Sequence, residues 1–252
     1  MGREFRIERE FAVPGTPEQV WHAITDGAGG WLWPMEYEPR VGGAAEWGST
    51  VTAWDPPRHL AILSKDASAA PEGAQAGNDP AWFNLLEQII ETRNGVTWVR
   101  YVHAGVMMND WETEFDGANQ HTDFYLDALV RYLQHFAGCR PTYISVDGPQ
   151  ASTTPGSLGA VRRALGLTEE AREGDRLQLA IPGVPVQDAE VDYANAHFLG
   201  LRTDDALIRV FARDAWGAPT SISVHHFAPD VDVAGVTAAW TAWLNGLFPA
   251  AS

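Results

Sequence analysis

The feature that most constrains the fold of this 252-residue chain is a short pattern that occurs twice. Pro14-Gly15-Thr16 and Pro155-Gly156-Ser157 each precede apolar residues at the same helical spacing. Each half then continues with several short strands and ends in an amphipathic helix. Self-similarity at long spacing is typical of a duplicated unit. The sequence therefore predicts two tandem copies, with domains at residues 1–140 and 141–252.

The first copy is predicted to be an α+β unit. Alternating apolar residues predict a strand over residues 3–13, and Thr16-Pro17-Glu18 predicts a helix start. Asn94-Gly95 predicts a hairpin between two strands. A period of 3.6 residues predicts the closing helix over residues 121–137. The acidic segment Asp110–Gly117 is predicted to be a solvent-facing strand or turn.

Two other segments of the first copy are predicted from composition. Residues 67–80 are small and turn-forming, which favours a mobile loop. Residues 36–43 contain a short strand candidate that ends in two glycines.

The second copy is predicted to be shorter and more tightly packed. It lacks a counterpart of the tryptophan-rich segment at residues 31–54. Its closing helix, predicted over Val233–Phe248, carries the bulky residues Trp240 and Trp243. We expect these two side chains to fill the space that a ligand occupies in the first copy.

Five motifs carry a family resemblance: Ala12-Val13-Pro14, Glu18-x-Val20-Trp21-x-Ala23, Pro39-Arg40-Val41-Gly42-Gly43, Trp54-Asp55-Pro56-Pro57-Arg58-x-Leu60 and Val102-His103-x-Gly105. In this order they resemble the START-like (SRPBCC) superfamily, specifically the bacterial homologues of the C-terminal domain of the heat-shock-protein-90 ATPase activator. The resemblance covers residues 3–137 well and residues 142–248 in outline. It implies a helix-grip fold, in which a bent antiparallel sheet wraps around a long C-terminal helix. In this family the cavity between sheet and helix often holds an apolar ligand.

One activity of that family is not expected here. The eukaryotic activators have a separate N-terminal domain with a stimulating motif rich in asparagine and tryptophan, and this sequence has no such motif. Chaperone activation is therefore not implied by the resemblance.

Tryptophan is unusually frequent, with eleven residues in the chain. An aromatic-walled cavity accounts for them, because ligand sites are concave and largely apolar; packing in the core is the alternative for each residue. Trp31 and Trp33 follow glycines in a loop and are predicted at the mouth of the cavity. The full set of predicted ligand-binding residues is Trp31, Trp33, Trp54, Trp82, Val99, Tyr101, His103, Tyr125 and Leu129.

Two of these residues are polar and share one face of a strand. Tyr101 and His103 alternate with Arg100 and Val102, so they are predicted to point into the cavity. There they would orient a polar group of a ligand or transfer a proton. A purely structural, hydrogen-bonded histidine is the alternative interpretation.

No motif in the sequence predicts a catalytic residue, a metal site or a cofactor. His225 and His226 are neighbours on a strand and point to opposite faces, which disfavours a shared metal ion. The acidic residues near Asp110 lack the spacing of a calcium loop. A nucleophile elbow and phosphate-binding glycine loops are also missing from the sequence.

The charge of the chain limits its partners. With 17 basic and 33 acidic residues the formal net charge is −16, which disfavours binding to nucleic acid or to an anionic membrane surface. Cys139 is the single cysteine, so no disulfide forms within the chain. The absence of a signal-like or membrane-spanning run leads us to expect a cytoplasmic protein.

The sequence favours one function and leaves others open. The leading interpretation is an acidic, cytoplasmic START-like protein that binds a small hydrophobic or aromatic molecule in its first copy, without firm indication that it is an enzyme. The alternatives are a polyketide aromatase/cyclase-type enzyme and a stress-related protein-interaction module. A homodimer is left open.

Overall fold

The chain forms two compact units, which are described separately. The first unit contains Met1–Ala28 and Leu32–Gly138, and the second contains Cys139–Ser252 together with Gly29–Trp31. Each unit has one antiparallel sheet, one short helix and one long closing helix. The predicted α+β helix-grip class is therefore confirmed.

A computed structural model describes residues 2–65 and 82–249 of the chain. The loop predicted at residues 67–80 lies outside the described residues. None of the described helices is both long enough and apolar enough to cross a membrane.

Within residues 2–65 and 82–138, the first unit contains five strands and two α-helices, which are β1 (Arg3–Val13), α1 (Pro17–Ile24), β2 (Thr50–Asp55), β3 (His59–Ser64), β4 (Asn84–Arg93), β5 (Val96–Met107) and α2 (Trp111–His135). The sheet order is β1-β5-β4-β3-β2, with antiparallel neighbours throughout. The first and last strands along the chain therefore pair, which brings the start of the unit beside the strand that leads into α2.

The turn signals of the first unit work as predicted. Thr16 caps α1 by accepting a hydrogen bond from the Gln19 N–H, and the Gln19 side chain accepts one from the Thr16 N–H in return. Asn94 and Gly95 both have positive φ, at 52° and 79°, as a two-residue hairpin turn requires. The strand candidate at residues 36–43 is wrong: only isolated bridges form around it, because Pro39 has no N–H to donate to a ladder.

The helix α2 begins well before its predicted start. The prediction of an acidic strand or turn at Asp110–Gly117 is wrong, because the segment forms the first turns of α2. Glu112 and Glu114 lie in the first turn, where the helix dipole stabilises negative charge. Trp111 and Phe115 stack with ring centroids 4.8 Å apart. They pack against a buried cluster of Phe5, Ile7 and Met107.

The second unit has one strand more than the first. Its elements are β6 (Thr142–Asp147), α3 (Ser157–Ala164), β7 (Arg176–Leu179), β8 (Gln187–Ala194), β9 (Phe198–Arg202), β10 (Ala206–Phe211), β11 (Ser221–His226) and α4 (Val233–Leu247). The sheet order is β6-β11-β10-β9-β8-β7, so the first and last strands are again neighbours. The helix α4 packs on β6 and buries Trp240 and Leu244 in the core of this unit.

An ion pair is buried in the second sheet. Arg209 on β10 donates to both carboxylate oxygens of Asp192 on β8, at 2.6 and 2.9 Å, and each side chain is 2% exposed. Asp192 occupies a β-bulge, which redirects a side chain. Gly200 on β9 lies between them, and a Cβ at this position would collide with both partners. The pair therefore depends on the bulge and on the missing side chain.

We expect Asp192→Ala to destabilise the second unit by about 3–5 kcal/mol, because it leaves the Arg209 charge buried without its carboxylate. Glu190→Ala is the matched control on the same strand. Glu190 pairs with Arg176 and Arg202 at 3.6 and 3.4 Å in a partly exposed setting, where a pair contributes about 0–1 kcal/mol. Urea unfolding followed by circular dichroism measures both. Equal losses in the two variants would contradict the role of burial.

Candidate functional site

The candidate site of the first unit lies where β5 faces α2. Tyr101 pairs with Arg9 of β1 in the sheet register, and Arg9 donates hydrogen bonds to Asp123 and Asn119 of α2 at 2.7 and 2.8 Å. The odd-numbered positions of these two strands therefore face the helix. Tyr101 itself is hydrogen-bonded with the Thr122 side chain. Tyr101 thus projects toward α2, which is the cavity side of a helix-grip unit.

His103 lies on the same face, one pleat further along β5. Its Nε2 is 2.8 Å from Oδ1 of Asn84, and its ring meets Phe5 edge-on at 4.9 Å. Because an amide oxygen only accepts, Nε2 carries the proton of the neutral ring. Burial lowers the pKa of His103 to about 4. The imidazole is therefore neutral at physiological pH and held in one tautomer.

Tyr101 and His103 combine deep placement with residual exposure. Burial raises the pKa of Tyr101 and lowers that of His103, yet both residues keep part of their solvent-accessible surface. These two residues therefore give the first unit a partly polar inner wall.

Tyr125 of α2 belongs to a group of three aromatic side chains with Trp33 and Trp47. Trp33 meets Tyr125 edge-on with ring centroids 5.5 Å apart, and Trp47 lies on the other side of Trp33 at 5.2 Å. Leu129 follows Tyr125 by one helical turn and is fully buried. Trp33, Tyr125 and Leu129, all predicted from the sequence, thus lie in one region of the first unit.

The remaining predicted residues are placed differently. Val99 is fully buried on the same strand face as Tyr101. Trp54 belongs to another aromatic group, with Trp21 at 5.1 Å and Tyr37 at 6.0 Å. Trp82 is 7% exposed just before β4. Trp31 is 3% exposed and belongs to the second unit, so it does not lie at the mouth of a first-unit cavity.

Three residues of this region were missed by sequence reasoning. Thr122 lies one turn before Tyr125 on α2, so the helical period would have identified it. Asn84 opens β4, and only the strand register brings it near His103. Trp47 has a left-handed backbone, with φ 54° and ψ 38°, which is unfavourable for a residue with a side chain. This conformation places its ring against Trp33 and has no signal in the sequence.

A cavity of about 300 Å³ is present in the second unit. Its walls come from β10 and β11, from the end of β7 with the segment that leads to β8, and from α4 with the loop before it. Trp240 forms part of the wall, so the prediction that this side chain fills the space is wrong. His226 lines the cavity, whereas the neighbouring His225 lies on the opposite face of β11, as strand geometry requires.

Metal and cofactor ligands do not cluster in the part of the chain that the structure describes. Over residues 2–65 and 82–249, no group of three or more histidine, cysteine, aspartate or glutamate side chains is arranged to hold a metal ion. Cys139, the single cysteine of the sequence, is exposed.

No family model matches the chain, and no curated protein matches it. Similar solved structures do exist. DynU16, a protein in the dynemicin biosynthetic locus, is 15% identical over 96% of this chain and 97% of its own, with a TM-score of 0.41. The Aha1 dimer from Colwellia psychrerythraea is 19% identical over 51% of this chain and 96% of its own, with a TM-score of 0.36. MLL2253 from Mesorhizobium loti is 23% identical over 53% of this chain and 98% of its own, with a TM-score of 0.39.

The two buried histidines predict a loss of stability in acid. Burial lowers the pKa of His103 to about 4 and that of His225 to about 3, whereas an unfolded histidine titrates near 6.5. Between these values the unfolded chain binds more protons than the folded one. We therefore expect the melting temperature to be constant above about pH 6.5 with respect to these groups and to fall as the pH drops toward 4.

The contribution of His103 to the acid sensitivity of folding can be measured separately from that of the other titrating groups. His103→Gln keeps an N–H donor for Asn84 but does not titrate, so its melting temperature should decline less steeply than that of the unchanged chain. His22→Gln, at an exposed position of α1, is the control and should follow the unchanged chain. Melting curves by circular dichroism from pH 8 to pH 4 measure this. A His103→Gln profile parallel to that of the unchanged chain would show that His103 does not carry the effect.

Proposed function

We propose that this protein binds a small hydrophobic or aromatic molecule in the first unit, between β5 and α2. The observation that carries the proposal is the position of Tyr101 and His103, which are deep in the unit and still partly accessible. Ligand sites combine apolar walls with a few fixed polar groups. Trp33, Tyr125 and Leu129 provide such walls beside the two polar residues.

The polar groups are suited to orienting a ligand. Proton transfer at neutral pH is most efficient when the pKa of the catalytic group lies near 7. Burial moves the pKa of His103 down to about 4 and that of Tyr101 further above its ordinary value, so both groups move away from that optimum. The Nε2–H of His103 already donates to Asn84, and Tyr101 is already bonded with Thr122. We therefore favour binding over an aromatase/cyclase-type reaction at these two residues.

The proposed ligand is uncharged in the region of this wall. Tyr101, Thr122, His103 and Asn84 are all neutral at physiological pH. A charged group placed against them would lose hydration without gaining an ion pair. A ligand with an aromatic body and a single hydroxyl or carbonyl group fits this wall best.

Tyr101→Ala should weaken the binding of a neutral aromatic probe by roughly tenfold or more, because it removes a buried aromatic wall and its hydroxyl. N-phenyl-1-naphthylamine, whose fluorescence rises in an apolar site, serves as the probe. Trp33→Ala should weaken binding in the same direction.

Two controls locate the effect. Trp98→Ala removes a larger ring from the same strand but from the opposite face, where Trp98 lies under the Arg93 guanidinium at 5.4 Å. Ser223→Ala changes a position of β11 whose sequence spacing from the second-copy turn at Trp216-Gly217 matches that of Tyr101 from Asn94-Gly95, and its side chain lies on the face of β11 away from the second-unit cavity. Both controls should leave the affinity nearly unchanged. If Ser223→Ala abolishes binding while Tyr101→Ala does not, the proposed site lies in the wrong half.

A further inference from the structure

The cavity of the second unit has an apolar floor. Ile208 and Val224 from the sheet, Leu179 from β7 and Trp240 from α4 all line it. All four residues are at most 3% exposed and belong to the core of this unit. Its volume of about 300 Å³ matches the lower end of the range for small-molecule sites, about 300–1,000 Å³. The floor is therefore suited to a compact apolar body.

Four polar side chains line this cavity: Gln187, Asp205, His226 and Asp232. Asp205 precedes β10 and His226 ends β11, while Asp232 caps α4 by accepting a hydrogen bond from the Gly235 N–H at 3.0 Å. Two of the four are carboxylates. None of the residues that line this cavity is a lysine or an arginine. The wall therefore carries carboxylate charge without a lysine or arginine beside it.

Asp205 is the carboxylate with the clearest capacity for a ligand. It is only partly exposed, and its Oδ1 accepts a hydrogen bond from the Thr203 hydroxyl at 2.9 Å. Its Oδ2 lies 4.0 Å from Nε2 of His226, which is too far for a hydrogen bond. A partly buried carboxylate is stabilised by an opposite charge within hydrogen-bond distance. A cationic group of a ligand would supply that charge at Oδ2.

The His226 ring is held beside this position. Its Nδ1 accepts a hydrogen bond from the Ala228 N–H at 3.2 Å, so in the neutral ring the proton lies on Nε2. Nε2–H is then a donor at the edge of the cavity.

We infer that the second unit contains a ligand site of its own, which takes a small amphiphile with an apolar body and a protonated amine. The apolar body lies on the floor of Ile208, Val224 and Trp240, and the amine donates to Oδ2 of Asp205. This site is separate from the one proposed in the first unit, where the polar wall is neutral. It also differs from the sequence-based expectation of a packed second copy.

Three probes that share a naphthalene body test the charge preference. They are 1-naphthylmethylamine, 1-naphthalenemethanol and 1-naphthylacetate, which are cationic, neutral and anionic at pH 7.5. Isothermal titration of the full chain should give an affinity for the amine at least about fivefold above that for the acetate. Equal affinities, or a preference for the alcohol or the acetate, would overturn the proposal.

Asp205→Asn tests the residue. This change keeps an oxygen for the Thr203 hydroxyl and removes the charge, so the affinity for the amine should fall by about threefold to tenfold while that for the alcohol stays unchanged. Asp204→Asn is the matched control, because Asp204 is the exposed neighbour and does not line the cavity. The control corrects for attraction of any cation to a chain with a net charge of −16. Equal effects of the two variants would refute the role of Asp205.

Val236→Trp tests the location. Val236 lines the cavity from α4, so a larger side chain should fill the space and remove the amine-selective binding. Ala238→Trp adds the same ring on the exposed side of α4 and should bind the amine like the unchanged chain. Persistence of amine-selective binding in folded Val236→Trp would place the site elsewhere. If Val236→Trp does not fold, the comparison of Asp205→Asn with Asp204→Asn decides the proposal by itself.

Discussion

Each unit depends on the packing of one helix against one face of an antiparallel sheet. A sheet face rich in apolar side chains has to be covered, and in both units the element that covers it is the last one along the chain. Phe124, Leu129 and Tyr132 of α2 are fully buried, as is Leu244 of α4. Since the first and last strands of each sheet pair, the closing helix starts beside the opening strand. The site that we propose in each unit lies between the closing helix and the sheet.

Several polar side chains inside these units have a partner that the fold fixes for them. Arg209 has Asp192, and that pair needs both a bulge and a glycine in the strand between. Tyr101 has Thr122, and His103 has Asn84. In low-dielectric surroundings an unpaired polar atom is costly. Each such pair consequently restricts the register of strands or helices as firmly as apolar packing does.

The sequence predicted those elements whose cause is local. The helix start at Thr16-Pro17-Glu18 and the hairpin at Asn94-Gly95 are set by a few neighbouring residues, and both are confirmed. The start of α2 was not predictable in the same way. Alternating acidic residues from Asp110 onwards resemble a solvent-exposed strand. Only the buried cluster around Phe5 makes Trp111 and Phe115 helical core positions. Here tertiary packing overrides the local pattern.

The residues of the candidate sites also divide into those set by local sequence and those set by tertiary packing. Tyr101 and His103 were found because strand alternation fixes the face of a side chain, whereas Asn84 and Trp47 depend on register and on an unusual backbone conformation. Trp240 shows the limit of an argument from side-chain size. A bulky residue on a core helix can fill a cavity or line it, and the choice depends on how far the helix stands from the sheet. That distance is set by the packing of the whole unit, so it cannot be predicted from a short stretch of sequence.

The two proposed sites differ most in the charge of their polar groups. In the first unit these groups are neutral, and they belong to Tyr101, Thr122, Asn84 and His103. In the second unit the carboxylates of Asp205 and Asp232 line the cavity. Apolar contact is unspecific and contributes similarly to any ligand of suitable size. Selectivity between ligands then follows from the few polar groups, because a mismatched charge leaves a carboxylate or a ligand group without a partner. The two proposed sites, which share an apolar lining, are therefore distinguished by the charge of the ligands that we propose for them.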